Sequence, residues 1–192
     1  MDGLTHVFCV RHALPVLSAD DRGRPLTEEG MADALRAAEF LREVSLDCAV
    51  SSPYVRSVDT IRPAAAEHGL TIREIEDFRE RMCGDTGGET AFWLRRRWED
   101  FDAAEPGGEC LRSVEIRNVR SFTRMLDECS GKNVLFGTHG TAFSVILHHY
   151  DPAWDLNGFN RIAAWMPWIV RMDFDGQTCL GREELFHIDK RH

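Results

Sequence analysis

This chain has very little lysine, no long apolar run and no recognisable leader. Only Lys132 and Lys190 are lysines among its 23 basic residues, so arginine carries nearly all of the positive charge. No apolar run approaches the roughly 18 residues that a membrane-spanning helix needs. The segment Met1–His6 has no basic stretch followed by apolar residues, as a secretory signal would. We therefore expect neither a membrane segment nor export, and a cytoplasmic location.

The charge and cysteine patterns of two other protein classes are also absent. The net charge of −9 argues against a general nucleic-acid-binding protein, which carries a basic surface. The six cysteines are widely scattered and form no Cys-x-x-Cys pair. This spacing favours reduced thiols over a disulfide framework or a zinc site. A binding site for an anion must therefore be a local group of arginines.

The alternation of apolar and turn-forming residues predicts one α/β domain over residues 1–192. Short buried strands alternate with amphipathic helices, which is typical of a three-layer α/β/α sandwich with a mostly parallel sheet. Between about 77 and 129 the strand signal disappears, and helices over 90–103 and 110–129 are predicted as a helical insertion over one end of the sheet. The predicted strands cover residues 5–10, 47–51, 71–75, 132–137, 161–174 and 179–186.

Two helix starts carry distinct local signals. Thr27 is a good N-cap residue, and Glu28 follows it in the first turn, where acidic residues favour the helix dipole. Ser52 and Pro53 predict a second cap, with proline in the first helical position. Free backbone amides at the start of that second helix would add to a positive field.

Basic side chains follow three of the predicted strands. Arg11 and His12 come directly after the first strand, and Arg56 lies one turn into the helix after the second. His139 follows the fourth strand. Because the carboxyl ends of parallel strands lie along one edge of a sheet, we expect these side chains to converge. Guanidinium groups match phosphate oxygens bidentately, so the sequence predicts a site for a doubly charged oxyanion.

Motifs for metal-assisted phosphate chemistry are missing. The chain contains no P-loop, no Asp-rich magnesium motif and no His-Glu-x-x-His segment. Neutralising the charge of a bound oxyanion would therefore fall to the side chains alone. We expect no metal and no cofactor.

Six short motifs follow one another between residues 7 and 140. Together they resemble the histidine phosphatase superfamily (branch 1), which includes the cofactor-dependent phosphoglycerate mutases. Two positions depart from the family pattern, since Ala13 replaces a glycine and Cys110 stands where Ser or Thr is usual. The motifs are Val10-Arg11-His12-Ala13, Leu26-Thr27-Glu28-Glu29-Gly30, the Ser-Ser-Pro-x-x-Arg-x-x-x-Thr segment at 51–60, Phe78-Arg79-Glu80-Arg81-Met82-Cys83-Gly84, Pro106-Gly107-Gly108-Glu109 and Gly137-Thr138-His139-Gly140.

The resemblance implies a phosphoglycerate mutase-like fold and a metal-independent phosphomonoester hydrolase. His12 would be the nucleophile that forms a phosphohistidine, and the neighbouring arginine charges should keep it unprotonated. Arg11, Arg56 and His139 would hold the phosphoryl oxygens. Glu80 would be the general acid for the leaving alkoxide and then the general base for water.

Several alternatives stay open at this level. Glu80 is preferred for its spacing to Arg81 and Gly84, although other carboxylates lie nearby in sequence. A mutase, which returns the phosphoryl group to its substrate, and a catalytically weak phospho-ligand or protein-binding member are the alternative functions. The expected partner is a small-molecule phosphomonoester rather than nucleic acid or membrane, and homo-oligomer formation is left open. The other candidate carboxylates are Glu74, Glu76, Asp77 and Glu89.

Two charged segments are interpreted as surface. The run 95–97 of three arginines, between Trp93 and Trp98, predicts a solvated helix face with two core tryptophans. One of these arginines reaching the site is the alternative. The charged residues at 20–24, in the loop after His12, are interpreted as exposed, with contact to substrate as the alternative.

Overall fold

A computed structural model describes residues 3–191, and within that range the chain forms one six-stranded sheet. The strands are β1 (Thr5–Arg11), β2 (Cys48–Ser51), β3 (Ile72–Glu74), β4 (Asn133–Thr138), β5 (Trp165–Asp175) and β6 (Thr178–Asp189). They lie in the order β3-β2-β4-β1-β5-β6. The pairs β1–β4, β2–β4 and β2–β3 are parallel. The C-terminal strands β5 and β6 extend the sheet in the antiparallel direction.

Six α-helices accompany the sheet in the described part of the chain. They are α1 (Glu28–Leu41), α2 (Val55–Glu67), α3 (Thr90–Glu99), α4 (Leu111–Glu128), α5 (Gly140–Tyr150) and α6 (Leu156–Arg161). Leu41 of α1 and Ile61 of α2 pack against one face of the sheet, and Phe122 of α4 and Phe143 of α5 pack against the other. The predicted three-layer α/β/α fold is therefore confirmed. No helix between residues 3 and 191 is long and apolar enough to cross a membrane.

Strand β1 is covered on both faces, which explains its nearly continuous apolar sequence. Val7 and Cys9 face the core beneath α4 and α5, whereas Phe8 and Val10 face the core beneath α1 and α2. Because side chains alternate across a strand, a central strand of this kind needs apolar residues at consecutive positions. The first polar side chains after Val10 therefore emerge at the end of the strand.

The parallel register brings the ends of β1, β2 and β4 to the same edge of the sheet. Arg11 lies opposite Thr138, and Ser51 lies opposite Gly137. The backbone hydrogen bonding continues one residue further, because the amide of His12 donates to the Thr138 carbonyl at 3.1 Å. The residues that follow these three strands therefore start from one place, as the sequence predicts.

The second helix begins later than the sequence predicts. It starts at Val55, and Tyr54 before it is extended, with φ −71° and ψ 131°. Ser52 Oγ accepts the Tyr54 amide at 3.2 Å and lies 2.7 Å from Nε2 of His139. The predicted N-cap role of Ser52 is wrong, because this hydroxyl faces the strand ends. The amides of Tyr54 and Val55 are not free either, since the second one donates to the Arg22 carbonyl at 3.1 Å.

The stretch before β5 is helical rather than extended. Asp155 caps α6 by accepting the amides of Asn157 and Gly158 at 2.8 and 3.2 Å. The predicted strand over 161–174 is therefore too long, and β5 begins only at Trp165. Ile162 is fully buried in the turn between them, and a buried turn shows the same apolar pattern as a strand.

The segment predicted as a helical insertion contains both expected helices, but they serve different layers. Thr90 and Leu94 of α3 line a cavity beyond the strand ends, so α3 lies over the site. Phe122 and Met125 of α4 are fully buried against the sheet. The addition over the site is therefore α3 with its flanking loops, whereas α4 belongs to the sandwich.

The loop between β1 and α1 is anchored by the predicted helix start. Thr27 caps α1, because its side chain accepts the Gly30 amide at 2.9 Å, and its own amide donates to the Leu14 carbonyl at 3.0 Å. A Cβ on Gly30 would lie 2.2 Å from that same carbonyl oxygen. Glycine is therefore required where the helix meets the loop, and this contact holds the backbone just after His12.

Candidate active site

His12 lines a cavity of about 290 Å³ at the strand ends, and local hydrogen bonds hold its ring. Nδ1 lies 2.8 Å from the Ala13 carbonyl oxygen, which only accepts, so a neutral imidazole carries its proton on Nδ1. The Ala13 amide donates to Thr60 Oγ1 at 2.9 Å, and that hydroxyl donates to the Arg56 carbonyl at 2.7 Å. This arrangement leaves the Nε2 lone pair available for attack.

The surroundings of His12 keep it unprotonated at neutral pH. Burial lowers the pKa of His12 well below its ordinary value of 6.5, and the charges of Arg56 and Arg11 lower it further. The sequence predicts a lowered pKa for His12 from the neighbouring arginines alone. In the structure, burial lowers this pKa more than the arginine charges do. The neutral imidazole that results is the nucleophilic form.

Arg11 and Arg56 lie beside His12 as buried cations with donors to spare. Arg11 donates to the carbonyls of residues 162 and 163, and Arg56 donates to the Asp21 carbonyl. Burial lowers the pKa of Arg11 to about 10, so it stays charged at neutral pH. Within the described chain, Nε of both arginines has no hydrogen-bond partner, whereas Nη2 of Arg56 lies 3.3 Å from Oδ1 of Asp21. Buried donors of this kind are suited to bind an oxyanion.

His139 lies next to His12 and is more deeply buried. Its ring is fully buried, with the two ring centroids 5.4 Å apart. Because Ser52 Oγ already accepts the Tyr54 amide, we assign its hydroxyl proton to the 2.7 Å contact with His139 Nε2. The imidazole proton is then on Nδ1, which has no partner among residues 3–191. Burial and the charge of Arg56 lower the pKa of His139 well below 6.5, so it acts as a neutral donor.

Glu80 is the carboxylate that the fold brings to the cavity wall. Its Oε2 accepts the Thr141 amide at 2.9 Å, and its Oε1 accepts the amides of Ala142 and Arg81 at 3.0 and 2.7 Å. The amides of Thr141 and Ala142 belong to the first turn of α5, where the helix dipole is positive. These three amides fix the orientation of the Glu80 carboxyl group.

The other carboxylates considered for the acid lie elsewhere. Glu76 and Asp77 pair with exposed arginines at 2.8 and 2.6 Å. Glu74 and Glu89 are exposed to solvent. Among the residues the structure describes, Glu80 alone of these five lines the cavity. Tertiary position therefore supports the preference for Glu80 over its neighbours.

Arg24 and Asp21, in the loop between β1 and α1, also reach the site. Arg24 lines both the His12 cavity and an adjoining cavity of about 320 Å³. Oδ1 of Asp21 pairs with Arg24 at 2.8 Å and with Arg56 at 3.3 Å. The interpretation as an exposed charge is wrong for Arg24, whose side chain is 23% exposed, because a β-bridge between Pro15 and Leu26 folds the loop back. The side chain of Asp21 is 45% exposed, as interpreted. Pro15 and Pro25, one at each end of the loop, are the sequence signal that could have predicted this turn back toward the site.

Ala13, which replaces the signature glycine, does not narrow the cavity. Its side chain is buried in a small apolar cluster with Leu26 and Ala34. The added methyl group therefore contributes to packing beneath α1 and leaves the ring of His12 unobstructed.

Contacts from α4 and a neighbouring turn support the segment that carries Glu80. Arg117 donates to the carbonyls of residues 77, 79 and 80 at 2.6, 2.7 and 3.1 Å. Its Nε also pairs with Glu109 at 2.8 Å. A Cβ on Gly84 would lie 2.3 Å from the Pro106 carbonyl oxygen, so this glycine permits close packing. The sequence motifs at 78–84 and 106–109 thus meet in space, and Arg117 joins them.

The chemistry of the site follows from these positions. A neutral imidazole with a free Nε2 shares the cavity with two buried guanidiniums, and a carboxyl group occupies the cavity wall. Such a set can bind a doubly charged oxyanion and attack its central atom. Among residues 3–191, no group of His, Cys, Asp or Glu side chains is arranged to hold a metal ion.

Comparisons with known proteins identify the family of the chain. The sequence model of the histidine phosphatase superfamily (branch 1) matches residues 7–180. The 2,3-bisphosphoglycerate-dependent phosphoglycerate mutase 2 of Gloeobacter violaceus is 31% identical over 161 residues, 74% of each chain. The structure of a mycobacterial glucosyl-3-phosphoglycerate phosphatase shares the fold with a TM-score of 0.75 and 18% sequence identity, covering 94% of this chain and 97% of that one. The structure of a Bacillus anthracis phosphoglycerate mutase shares it with a TM-score of 0.77 and 17% identity, covering 95% of this chain and 93% of that one. The chain belongs to the histidine phosphatase superfamily, branch 1.

Proposed function

We propose that the protein hydrolyses small-molecule phosphomonoesters through a phosphohistidine on His12. The observation that carries the proposal is the environment of this imidazole. Its Nδ1 donates to the Ala13 carbonyl, its Nε2 is available, and the unpartnered Nε groups of Arg11 and Arg56 lie beside it. Fixed cations around a neutral nucleophile stabilise the charge of a phosphoryl group in its transition state.

In the first step, Nε2 of His12 attacks phosphorus in line with the ester oxygen. The N–P bond forms as the P–O bond breaks, and the carboxyl group of Glu80 gives its proton to the leaving alkoxide. Arg11, Arg56 and Nδ1–H of His139 would hold the non-bridging oxygens. The products of this step are the free alcohol and the phosphohistidine.

In the second step, water releases the phosphoryl group. Glu80, now a carboxylate, takes a proton from water as the water oxygen attacks phosphorus. The N–P bond breaks, its electron pair returns to Nε2 of His12, and inorganic phosphate leaves. Glu80 ends the cycle protonated and ready for the next ester. Arginine and histidine side chains neutralise the charge, so we propose that neither metal nor cofactor takes part.

Hydrolysis is preferred to phosphoryl transfer because of the charges next to the site. A mutase must accommodate a second anionic group beside the reacting one, and the cations of the adjoining cavity are already paired. Arg24 pairs with Asp21, and Arg81 and Arg97 share Glu105 at 2.7 and 2.6 Å. A mutase is the second candidate, since the Gloeobacter relative is named as one.

Phosphate release in the presence of EDTA tests the proposed function. We expect the protein to release inorganic phosphate from 4-nitrophenyl phosphate with EDTA present, at a rate that added 2,3-bisphosphoglycerate does not raise. The assay measures phosphate and nitrophenolate together, with 3-phosphoglycerate as the parallel substrate. Isomerisation of 3-phosphoglycerate that depends on the bisphosphate primer, without phosphate release, would favour the mutase. Activity that EDTA abolishes and Mg²⁺ restores would contradict the metal-free mechanism.

The pH profile should reflect the lowered pKa of His12. Because the folded pKa lies well below 6.5, the imidazole stays unprotonated as pH falls through 6.5. An unperturbed histidine would be about 90% protonated at a pH one unit below its pKa, and its rate would fall about tenfold. We expect no such fall in kcat/KM for 4-nitrophenyl phosphate down to that pH, once the ionisation of the substrate is corrected for. An acidic limb with an apparent pKa near 6.5 would contradict the geometry.

The cytoplasm is the proposed location. All six cysteines lie in the described part of the chain and are free thiols. Free thiols are typical of proteins that work in a reducing compartment.

A further inference from the structure

The cavity next to the phosphoryl site is positioned to receive the alcohol part of the substrate. This cavity of about 320 Å³ shares Glu80, Arg24, Thr141 and Phe159 with the cavity of His12, so the two are continuous. Glu80 lies at their boundary and, under the proposed function, protonates the leaving oxygen. The alcohol therefore extends past Glu80 into the second cavity. We call it the leaving-group pocket, and it is bounded by Arg24, Glu80, Leu94, Trp98, Leu111 and Phe159.

One face of α3 forms the outer wall of the leaving-group pocket. Thr90, Leu94, Arg97 and Trp98 line it, with the i, i+4, i+7, i+8 spacing that puts side chains on one side of a helix. The Trp98 ring lies 6.0 Å from the ring of Phe159 on α6, and the two close the apolar wall. The prediction that Trp98 is a core tryptophan is therefore only partly right, because Trp98 is half-buried and also lines the cavity. An apolar helix face turned to a cavity offers surface to a ligand.

The cations that line the leaving-group pocket each pair with a carboxylate of the protein. Arg81 and Arg97 share the buried carboxylate of Glu105, and Arg24 pairs with Asp21. Although burial opposes ionisation, the hydrogen bond from Arg81 helps to lower the pKa of Glu105 to about 2, so this carboxylate is charged. A second anionic group on the substrate would meet carboxylates here, because each described arginine of the lining already pairs with one. Nε of Arg24 has no hydrogen-bond partner among the described residues, but Arg24 also lines the cavity of His12, where the phosphoryl group binds.

We propose that the substrate is a phosphomonoester of an uncharged alcohol that carries a ring-sized apolar group. This inference rests on the proposed function and names its substrate class. Leu94, Trp98, Leu111 and Phe159 bury the apolar part, while the paired arginines give no advantage to a carboxylate or a second phosphate. The volume of the pocket falls in the range of cavities that bind small organic molecules.

Three primary alkyl phosphates with alcohols of similar reactivity test this proposal. Propyl phosphate is the reference, 3-phenylpropyl phosphate adds a ring, and 4-phosphonooxybutanoate adds a carboxylate. We expect kcat/KM for the phenylpropyl ester to exceed that for the propyl ester by about 10- to 100-fold, the discrimination that burial of a ring provides. We expect the carboxylate ester to be the poorest of the three.

Variants on the two faces of α3 test whether the preference for the phenylpropyl ester arises in the leaving-group pocket. Trp98→Ala and Leu94→Ala should each lower the ratio of phenylpropyl to propyl kcat/KM. Phe92→Ala is the control, because Phe92 lies on the opposite face of α3 and is 55% exposed, and it should keep the wild-type ratio. Circular dichroism verifies folding, and Leu94→Ala, which removes less volume, carries the test if Trp98→Ala does not fold.

Two contrary outcomes are distinguishable. Near-equal kcat/KM for the three esters, or preference for the carboxylate ester, would overturn the substrate class and leave the phosphatase activity standing. Absence of phosphate release from these esters and from 4-nitrophenyl phosphate alike would overturn the proposed function, and the substrate class with it.

Discussion

Replacing His12 with alanine is expected to lower kcat for hydrolysis of 4-nitrophenyl phosphate by at least about 10⁴-fold, with a smaller change in KM. The substitution removes Nε2, the atom that forms the N–P bond, so no phosphoenzyme can form. Arg11 and Arg56 keep their anchors on backbone carbonyls, so the phosphoryl group still binds. Initial rates in EDTA, over a range of substrate concentrations, separate the two constants.

The matched control for His12 is the same exchange at an exposed position. His149 lies at the end of α5 with its side chain 45% exposed, and His149→Ala should retain the wild-type rate. Rapid quenching of the wild type during turnover should trap an acid-labile phosphate that His12→Ala does not carry. Equal rates for His12→Ala and wild type would reject His12 as the nucleophile.

Replacing Glu80 with glutamine is expected to slow hydrolysis of propyl phosphate by about 10²- to 10⁴-fold, the usual contribution of a general acid. An alkoxide is a poor leaving group and needs the proton that Glu80 supplies. Nitrophenolate leaves without a proton, so the first step with 4-nitrophenyl phosphate should be largely retained. The second step loses its base, and we expect a stoichiometric burst of nitrophenolate followed by slow turnover.

Glu76→Gln is the control for this substitution, because it makes the same exchange at a neighbouring carboxylate that pairs with Arg22 on the surface. We expect its rates to match wild type with both esters. Stopped-flow absorbance measures the burst, and phosphate release measures the later turnover. Loss of the burst together with the turnover would mean that Glu80 acts through its contacts with the α5 amides, not as an acid.

The local pattern of residues was sufficient to predict most of the fold. Consecutive apolar residues mark β1 because it is buried on both faces, and Thr27 caps α1 as expected. The two helices between 77 and 129 were also predictable, since their periodicity is a local property. Each of these features depends on residues close together in sequence.

Features with distant partners were not predictable in the same way. Ser52 turns from the helix toward His139, 87 residues away, and Arg11 bonds to a carbonyl 151 residues away at the end of α6. The antiparallel addition of β5 beside β1 likewise has no local signal. These contacts depend on which groups lie close together after folding, so they cannot be predicted from a short segment of the sequence.

The sequence by itself determined which chemistry is available: Arg11, His12, Arg56 and His139 follow strands whose ends must meet in a parallel sheet. Motif spacing favoured Glu80 among its neighbouring carboxylates, and tertiary structure placed it at the cavity wall. Tertiary structure also brought Arg24 to the site and paired both Arg81 and Arg97 with Glu105. The physical reason is that the central strands and the Thr27 cap follow from local backbone preferences, whereas burial and charge pairing depend on contacts between segments far apart in the chain.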